Sequence, residues 1–502
     1  MGTYHSTRST DGACSSKEAI RRGLAEDGGL YVSDALGEAK LDVTTLASKD
    51  YTSLAREVMG LLLPDYTADE ITACVDEAYT GTFASPEVTP VAPLGDGGAD
   101  GAPTFVLELF HGPTSAFKDV ALQMLPRLMA RTAAAGDAGE KVMIVTATSG
   151  DTGKAALAGF ADAPGCGITV FYPEGKVSRV QQLQMSTQEG GNVAVCGVRG
   201  NFDDAQTAVK RIFGDHALAD RLHAEGVALS SANSINVGRL VPQVVYYFAA
   251  YAQLLRAGTI EVGDPVEFCV PTGNFGDILA GYYAERLGLP VARLTVASDR
   301  NNVLFDFLET GTYDRERPFY TTTSPSMDIL VSSNLERMLY YLSGGDCGLV
   351  ARLMGELSSE GRYTVPAGLL QAIRERFAGG WASEDKVAAA IRDCWERHGY
   401  VIDPHTACGY HVLGSVAPAA GARARVLLST ASPYKFPRAV AGALGLSCPE
   451  DDFACMRVLE EFTGTVAPRQ LAELCDKPVR FSDVRGVDEL GAYVEAAVGR
   501  LA

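Results

Sequence analysis

The chain has 502 residues, of which 47% are hydrophobic and 21% charged, so it can bury a large core and is longer than one core usually spans. Its 62 acidic and 43 basic side chains leave a net charge of −19. This balance argues against a protein whose main partner is nucleic acid or an anionic membrane. Any anionic ligand must be held by a local cluster of donors.

The N-terminus and the cysteines bear on the cellular compartment. The first six residues contain no apolar signal core, and no run of about 18 apolar residues is present that could span a membrane. The 11 cysteines form no Cys-x-x-Cys pair and no cluster with histidine at zinc spacing. We therefore expect a reduced, cytoplasmic protein without a metal site.

From about residue 104 to 300, short apolar β-branched runs alternate with amphipathic stretches, as in βαβ units around a mostly parallel sheet. The pattern predicts strands at 105–110, 142–146, 168–172, 193–198, 266–270 and 294–297. The helices predicted after these strands are 116–131, 153–160, 178–188, 203–213, 276–287 and 301–308. A late strand at 425–428 and a helix from about Phe436 complete the sheet. The predicted fold class is α/β, with two doubly wound units.

A polar stretch rich in Gly and Asp at 94–103 separates the N-terminal part from the first α/β unit. We therefore predict an N-terminal module over residues 1–96. The predicted regions after it are a first α/β region over 97–260, a second over 261–445 and a smaller C-terminal appendage over 446–502.

The first motif that carries chemistry is 111–119, which leaves a predicted strand, turns through Gly112 and Pro113, and enters a helix. It places Lys118 in the first helical turn, where the positive end of the helix dipole disfavours an ammonium group. Burial would lower the pKa of Lys118 further, and both effects help a lysine act as a nucleophile and proton carrier. The alternative is a solvated surface lysine beside Asp119.

Two glycine-containing loops also follow predicted strands and open helices, and their free N–H groups make each an anion cradle. The first loop consists of Thr148, Ser149, Gly150, Asp151, Thr152 and Gly153, and the second of residues 271–277. The alternative for Asp151 is that it only caps its helix. A nucleotide P-loop is not indicated, because Ala155 stands where a magnesium-binding Ser or Thr belongs. Two anion loops and a poised lysine suggest a ligand with both a phosphate and a carboxylate.

The segment around Lys118 resembles the cofactor-lysine motif of the threonine synthase family, in its longer form with a distinct N-terminal module. Later segments are similar to family segments in the same order, namely 149–153, 273–277, 403–407 and 429–431. The opening segments 4–8, 23–25 and 27–31 are similar as well. The resemblance covers residues 4 to about 440. It implies a fold like that of the tryptophan synthase β-subunit, which is fold type II of the pyridoxal-phosphate enzymes.

The resemblance also implies a cofactor, pyridoxal 5′-phosphate (PLP), and roles for the motifs. Lys118 would be the Schiff-base lysine, and Thr430 would hydrogen-bond the pyridine nitrogen. The cofactor phosphate would be held by Gly273, Asn274, Phe275, Gly276 and Asp277. The substrate carboxylate would be received by Thr148, Ser149, Gly150, Asp151 and Thr152.

Candidates for a substrate phosphate site are cations and polar side chains at predicted helix starts. Lys176 and Ser178 precede one helix, while Asn236 and Arg239 are three residues apart and would share a helix face. Arginine can hold phosphate with two hydrogen bonds, and lysine supplies a point charge. Ordinary surface charge is the alternative for each. His405 stands at a helix start and is interpreted as structural, without a catalytic role.

The resemblance implies release of phosphate from the small-molecule substrate O-phosphohomoserine and addition of water, which gives threonine, with Lys118 moving the protons. Ser432 and Tyr434 stand where the family commonly has histidine and alanine, while Thr430 is retained. The alternatives are another fold type II lyase, either a threonine dehydratase or an O-phosphohomoserine phospholyase, or a noncatalytic metabolite-binding homologue. We expect a monomer or homodimer, with neither nucleic acid nor membrane as partner.

Overall fold

The computed structural model describes residues 3–95, 101–132, 140–148 and 150–499. Within these residues, no helix is both long and apolar enough to cross a membrane. The N-terminal part contains a small antiparallel sheet and three α-helices: β1 (Tyr4–Ser6), α1 (Ser16–Arg22), β2 (Tyr31–Ser33), α2 (Tyr51–Leu62) and α3 (Ala68–Tyr79). Helix α2 packs against the long helix α9 (Val237–Arg256), which joins this part to the rest of the core.

One sheet has five parallel strands in the order β15-β7-β6-β5-β8. These are β5 (Lys141–Ala147), β6 (Cys166–Pro173), β7 (Val193–Val198), β8 (Val227–Ser230) and β15 (Val484–Arg485). Strands β6 and β7 are buried at every position, and for this reason their sequences are almost continuously apolar. The associated helices are α5 (Asp151–Phe160), α6 (Arg179–Ser186), α7 (Phe202–Gly214), α8 (His216–Ala224) and α20 (Leu490–Val498).

The other large sheet has six strands in the order β13-β10-β9-β14-β4-β3, and only β3 is antiparallel to its neighbour. Its strands are β3 (Val91–Gly95), β4 (Thr104–Glu108), β9 (Val266–Pro271), β10 (Val291–Ser298), β13 (Phe377–Trp381) and β14 (Ala424–Ser429). The associated helices are α4 (Lys118–Ala130), α10 (Gly276–Arg286), α11 (Val303–Thr310), α15 (Glu384–His398), α16 (Pro404–Ser415) and α17 (Pro437–Ala443). These two mostly parallel sheets confirm the predicted α/β class.

The remaining elements lie around the six-stranded sheet and towards the C-terminus. They are β11 (Thr312–Asp314), α12 (Leu335–Leu342), α13 (Cys347–Glu360), β12 (Arg362–Thr364), α14 (Ala367–Arg374), α18 (Asp452–Thr463) and α19 (Arg469–Ala472). The structure bonds Cys448 to Cys455 in a disulfide, so the expectation of reduced cysteines is wrong for this pair. Their Cα atoms lie 5.5 Å apart because α18 begins between them.

Strand pairing crosses the borders of the predicted regions. Strand β4, which precedes Lys118, pairs with β14 from far along the chain, and β15 from the C-terminal part pairs with β7. The boundaries at 96, 260 and 445 remain a prediction. The elements themselves fall close to the predicted ones, and the strand at 193–198 has the predicted bounds. The helix predicted at 116–131 begins only at Lys118, because Ala116 forms a β-bridge with Ala431.

Candidate active site

Three loops that follow parallel strands meet at one site. Lys118 is the first residue of α4 after β4, Asp151 the first of α5 after β5, and Gly276 the first of α10 after β9. Ligands of open α/β sheets bind beyond the carboxyl ends of the strands. The two sheets therefore bring the three motifs predicted from sequence together in space.

Lys118 is buried, and its residue is only 8% exposed. Its Nζ donates a hydrogen bond to Ser326 Oγ at 3.1 Å and lies 4.7 Å from the centre of the Phe117 ring. Burial lowers the pKa of Lys118 to about 8, with the charges of Lys435 and Arg239 acting in the same direction against that of Asp151. The alternative of a solvated surface lysine is therefore wrong.

This lowered pKa predicts how the Lys118 amine reacts in the cofactor-free protein. With a pKa near 8, about one tenth of the amine is unprotonated at pH 7, against less than about 0.1% for an ordinary lysine. We expect acetylation of Lys118 to reach half its plateau near pH 8, measured by mass spectrometry of the labelled peptide between pH 6 and 11. Exposed Lys210 serves as the internal reference. A Lys118 midpoint above about 10 would contradict the assigned environment.

Asp151 is the acidic centre of the site. Its Oδ1 accepts from Lys435 Nζ at 2.8 Å and from Gln181 Nε2 at 3.2 Å, and its Oδ2 accepts from Ser326 Oγ at 3.1 Å. Burial acts to raise the pKa of Asp151, but Lys435 and Lys118 outweigh it and hold the pKa well below its usual range. Asp151 is thus an ionised carboxylate tied to other segments, and the interpretation that it only caps α5 is wrong.

Ser326 links Lys118 to Asp151, and His405 fixes its backbone. The Ser326 N–H donates to His405 Nε2 at 3.1 Å, and His405 Nδ1 lies 2.6 Å from Asp403 Oδ2. Because Nε2 accepts, Nδ1 must carry the hydrogen that is donated to Asp403. His405 therefore holds the serine that contacts the lysine, and it is hydrogen-bonded to Ser326 and not to Lys118.

The carboxyl groups of Asp299 and Asp328 both contact Thr322, which lies shortly before Ser326 in the chain. Thr322 Oγ1 lies 3.1 Å from Asp299 Oδ2 and 2.7 Å from Asp328 Oδ1, and Asp328 is two residues from Ser326. Burial raises the pKa of Asp299, and the neighbouring Asp328 carboxyl raises it further. The pair therefore retains a proton that two separate aspartates would have lost.

This shared proton makes stability depend on pH. The pKa of Asp299 is higher in the folded than in the unfolded chain, where it is about 3.9, so stability falls as pH rises above about 4 towards the folded pKa. Asn in its place loses no proton. We therefore compare the free energies of unfolding of Asp299→Asn and the wild type in urea. As the pH is raised from 5 to 9, we expect their difference to change in favour of the variant by on the order of 1 kcal/mol. Exposed Asp385→Asn is the control, and an equal gain there would refute the shared proton.

The loop from Gly273 to Asp277 has the backbone of an anion cradle. Phe275 has a φ of 62°, in the left-handed region, and this turns the chain into α10. A Cβ on Gly273 would stand 2.8 Å from the Ser326 carbonyl oxygen, so the close approach requires glycine. The carbonyl of Asn274 accepts from Asn334, and the first N–H groups of α10 have no backbone acceptor within the helix. The N–H of Ile278 donates to Asp277 Oδ1 at 2.9 Å. Burial raises the pKa of Asp277 to about 7.

Thr430 lies at the end of β14, against the lysine loop. Its carbonyl accepts from the Phe117 N–H at 2.8 Å, and Ser432 N donates to Ser115 O at 3.0 Å. Thr430 is 5% exposed, and its hydroxyl makes no hydrogen bond to the residues that the structure describes, so it can bond a ligand. Ser432 and Tyr434, which depart from the family pattern, cap the following turn and bond Thr465, so their contacts are structural.

The predicted carboxylate loop is organised by Thr148. Its Oγ1 accepts from the N–H groups of Gly150 and Gly153, at 2.9 Å each. Gly150 has a φ of 140°, and a Cβ there would stand 2.4 Å from Gln181 Nε2. Thr152 is partly exposed, and Ser149 lies outside the described residues. The conformation and close contacts at Gly150 therefore require glycine, as the interpretation of this loop as an anion cradle expects.

The four candidates for the substrate phosphate lie in different surroundings. Arg239 is 3% exposed, its Nη1 donates to Ala232 O at 2.6 Å, and its buried Nε has no partner among the described residues. Burial lowers the pKa of Arg239 to about 10. Asn236 caps α9 through Gly238 N and donates to Ile20 O. Ser178 caps α6, and Lys176 is exposed. Of the four, only Arg239 exerts an appreciable charge effect on Lys118.

Sequence reasoning missed three residues of the site: Ser326, Gln181 and Lys435. Lys435 is fully buried and also donates to Thr114 O at 3.0 Å, within the motif that carries Lys118. A signal was present in its sequence context, where Lys435 stands among Pro433, Tyr434, Phe436 and Pro437 without an acidic neighbour. A lysine in such surroundings needs a distant carboxylate when it is buried.

Comparisons with known families match three parts of the chain. The family described as "Pyridoxal-phosphate dependent enzyme" matches residues 85–430. "Threonine synthase N terminus" matches residues 3–79, and "Threonine synthase, C-terminal" matches residues 406–494. Together they confirm the expected family, the N-terminal module and the PLP class of enzyme.

Individual relatives agree. The threonine synthase of Schizosaccharomyces pombe is 36% identical, and the match covers 99% of this chain and 98% of the relative. The threonine synthase of Pseudomonas aeruginosa is 39% identical, and the match covers 87% of this chain and 89% of the relative. Human threonine synthase-like 1 is 39% identical over 85% of this chain, which spans only 58% of that protein. The structure of PLP-bound threonine synthase from Brucella melitensis covers 99% of both chains with 38% identity and a TM-score of 0.87. The chain therefore belongs to the threonine synthase family, within the pyridoxal-phosphate dependent enzymes.

Proposed function

We propose that this chain is itself a threonine synthase, which releases phosphate from O-phospho-L-homoserine and adds water to give L-threonine. The observation that carries the proposal is Lys118, a buried amine with a lowered pKa, hydrogen-bonded to Ser326. Two anion loops at strand ends meet this amine. Together with the family assignment, this arrangement suits a ligand that has one phosphate, one carboxylate and a carbon acid to be deprotonated.

The residues present fit PLP. The first turn of α10 with Gly273, Asn274, Phe275, Gly276 and Asp277 would hold the cofactor phosphate, and the free Thr430 hydroxyl would contact the ring nitrogen. Lys118 would attach to the cofactor as the Schiff-base lysine. When bound, PLP supplies an electron sink that stabilises negative charge on the substrate α-carbon.

The protein's own residues would then orient the substrate and move protons. The loop of Thr148, Ser149, Gly150, Asp151 and Thr152 would bind the substrate carboxylate. Lys118 Nζ would take the Cα proton and later a Cβ proton, and would protonate Cγ after phosphate leaves that carbon. Water would then add its hydroxyl group at Cβ, and Lys118 Nζ would return a proton to Cα. Ser326, fixed by His405, would keep Nζ in place between transfers.

For the departing phosphate, Arg239 is the candidate that the geometry supports best. Its buried Nε without a partner gives an anion a donor that the described residues do not use. Lys176, Ser178 and Asn236 are proposed to complete this site. Ser178 accepts a hydrogen bond from the N–H of Gln181, and the Gln181 side chain donates to Asp151. In this proposal the phosphate would lie on the same side of the site as the carboxylate loop.

Parallel measurement of two products tests the proposed function. Purified protein loaded with PLP is incubated with O-phosphohomoserine, and phosphate and threonine are assayed in the same sample. We expect equal amounts of both. Phosphate without threonine would instead identify a phospholyase, consumption of added threonine a dehydratase, and binding without either product a noncatalytic homologue.

We also propose that the protein acts in the cytoplasm as a monomer or homodimer. Nine cysteines among the described residues are free thiols, and eight of these are buried or only partly exposed. Light scattering after size-exclusion chromatography distinguishes the two assembly states, since a monomer has a mass of 53.1 kDa.

A further inference from the structure

A second cavity lies behind the lysine loop, apart from the site described above. It has a volume of about 730 Å³ and is lined by residues 81–84, 111–113, Lys154, Ala158, 187–189 and, from the C-terminal segment 469–477, by Arg469, Gln470, Leu474 and Lys477. Lys118, Ser326, Asp151 and Lys435 are not among its lining residues. This volume falls in the range of cavities that bind small organic molecules.

Positive side chains from separate segments face this cavity. Lys154 comes from α5, Lys477 from the C-terminal segment and Arg469 from α19. Within the described residues, neither lysine has a carboxylate within 4.0 Å, and the Lys154 ammonium bonds only the amide oxygen of Gln188. Arg469 pairs with Glu473, and Glu189 is the acidic residue of the lining.

The two unpaired lysines repel each other. Burial lowers the pKa of Lys154 to about 7, and the charges of Lys477 and Lys435 lower it further against those of Asp119 and Glu189. Positive charge is thus concentrated at this cavity, although the chain as a whole has a net charge of −19. A bound anion would pair both ammonium groups and relieve the repulsion.

We propose that this cavity binds a small organic anion, with a phosphate or carboxylate group between Lys154 and Lys477 and an apolar or ring portion against the remaining walls. The apolar walls are supplied by Phe83, Pro113 and Leu474. The volume exceeds what a single inorganic anion fills, so the apolar portion is part of the proposed ligand. This inference goes beyond the proposed reaction, because none of its residues takes part in it.

The cavity is connected to the lysine loop through Gln470. Gln470 Nε2 donates to Gly112 O at 3.0 Å and to Ser115 Oγ at 2.9 Å. Ser115 has a φ of 59° and lies three residues before Lys118. A ligand bound against Gln470 would therefore contact a side chain that holds the loop carrying Lys118, and we expect such a ligand to change turnover of the holoenzyme.

The test uses two probes that join a ring to a fixed anionic group, adenosine 5′-monophosphate and 8-anilinonaphthalene-1-sulfonate. Binding to the holoenzyme is measured by calorimetry for the first and by fluorescence for the second. We expect Lys154→Met/Lys477→Met to weaken binding at least about tenfold, since two charge-assisted contacts are lost. Lys210→Met, which removes an exposed lysine elsewhere, serves as the charge control and should bind like the wild type.

Two results would overturn the proposal. One is that neither probe binds the holoenzyme up to about 10 mM, which is weaker than specific small-molecule recognition. The other is that both probes bind the double variant as well as the wild type, because the binding site would then lie elsewhere. The thermal midpoint of each variant is measured alongside, and a folded double variant that has lost the probe gives the supporting result.

Discussion

Alanine at position 118 is expected to lower threonine formation by at least about 10³-fold, since the variant loses both the group that attaches the cofactor and the base that moves the protons. The side chain of Lys118 is buried, and Nζ makes one hydrogen bond, to Ser326. Truncation removes the reactive amine and, because the side chain is buried, also leaves a cavity, so the thermal midpoint of the variant is measured as well. Phosphate and threonine release are measured on the purified variant incubated with PLP, and the absorbance of bound cofactor is recorded in parallel.

The matched control for this experiment is Lys118→Arg. A guanidinium group keeps the positive charge beside Asp151 but stays protonated, so it cannot serve as the amine nucleophile or as a base. We expect it to be as inactive as Lys118→Ala while retaining more of the wild-type thermal midpoint. Activity of the arginine variant within tenfold of the wild type would show that position 118 supplies only charge, and the assigned chemistry would be wrong.

The motifs around Lys118, Asp151 and Gly276 could be predicted from sequence because their signals are local. In each, a short apolar strand is followed by a glycine or proline turn and a helix start, and such a turn places polar groups at the end of a strand. The structure adds positive φ at Gly150 and Phe275, where the chain bends into α5 and α10. Glycine at 150 is a visible signal of this bend, whereas Phe275 gives none.

The arrangement of the sheets could not be predicted in the same way. Strand β4 pairs with β14, whose residues are more than 300 positions later, and nothing in either strand specifies its partner. An apolar run shows that a strand is buried, but parallel pairing is set by crossovers whose lengths vary widely. The sequence therefore indicated the strands and left open how the sheet joins them.

Long-range polar contacts were hidden for the same reason. Ser326 lies outside any regular element, and its role follows only from its contacts with Lys118, Asp151 and His405. Asn236 was a candidate by its chemical type, and the structure adds that its side chain also caps α9 and donates to Ile20 O. Chemical type thus identified candidates, and only the three-dimensional contacts separate Arg239 from the rest.

The buried ion pair between Lys435 and Asp151 leads to the second large effect. Both side chains are almost fully buried, at 0% and 2% exposure, and their charged atoms lie 2.8 Å apart. Lys435 also ties Asp151 to the Thr114 carbonyl of the lysine motif. Removing one partner of such a pair leaves an uncompensated buried charge, which typically costs about 3 to 5 kcal/mol.

We therefore expect Lys435→Met to lower the free energy of unfolding in urea by about 3 kcal/mol or more. It should also shift the pH dependence of turnover towards alkaline pH, because Lys435 is one of the charges that lower the pKa of Lys118.

The companion variant Lys435→Met/Asp151→Asn also removes the carboxylate that the single substitution leaves without its partner. This double variant should recover most of the lost free energy of unfolding while remaining poorly active, since residue 151 no longer offers Ser326 a carboxylate. If the single variant were as stable as the wild type and kept its pH profile, the pair would not organise the site. Recovery of stability without recovery of turnover separates the two roles of Asp151, as the partner of a buried lysine and as the anchor of the serine beside Lys118.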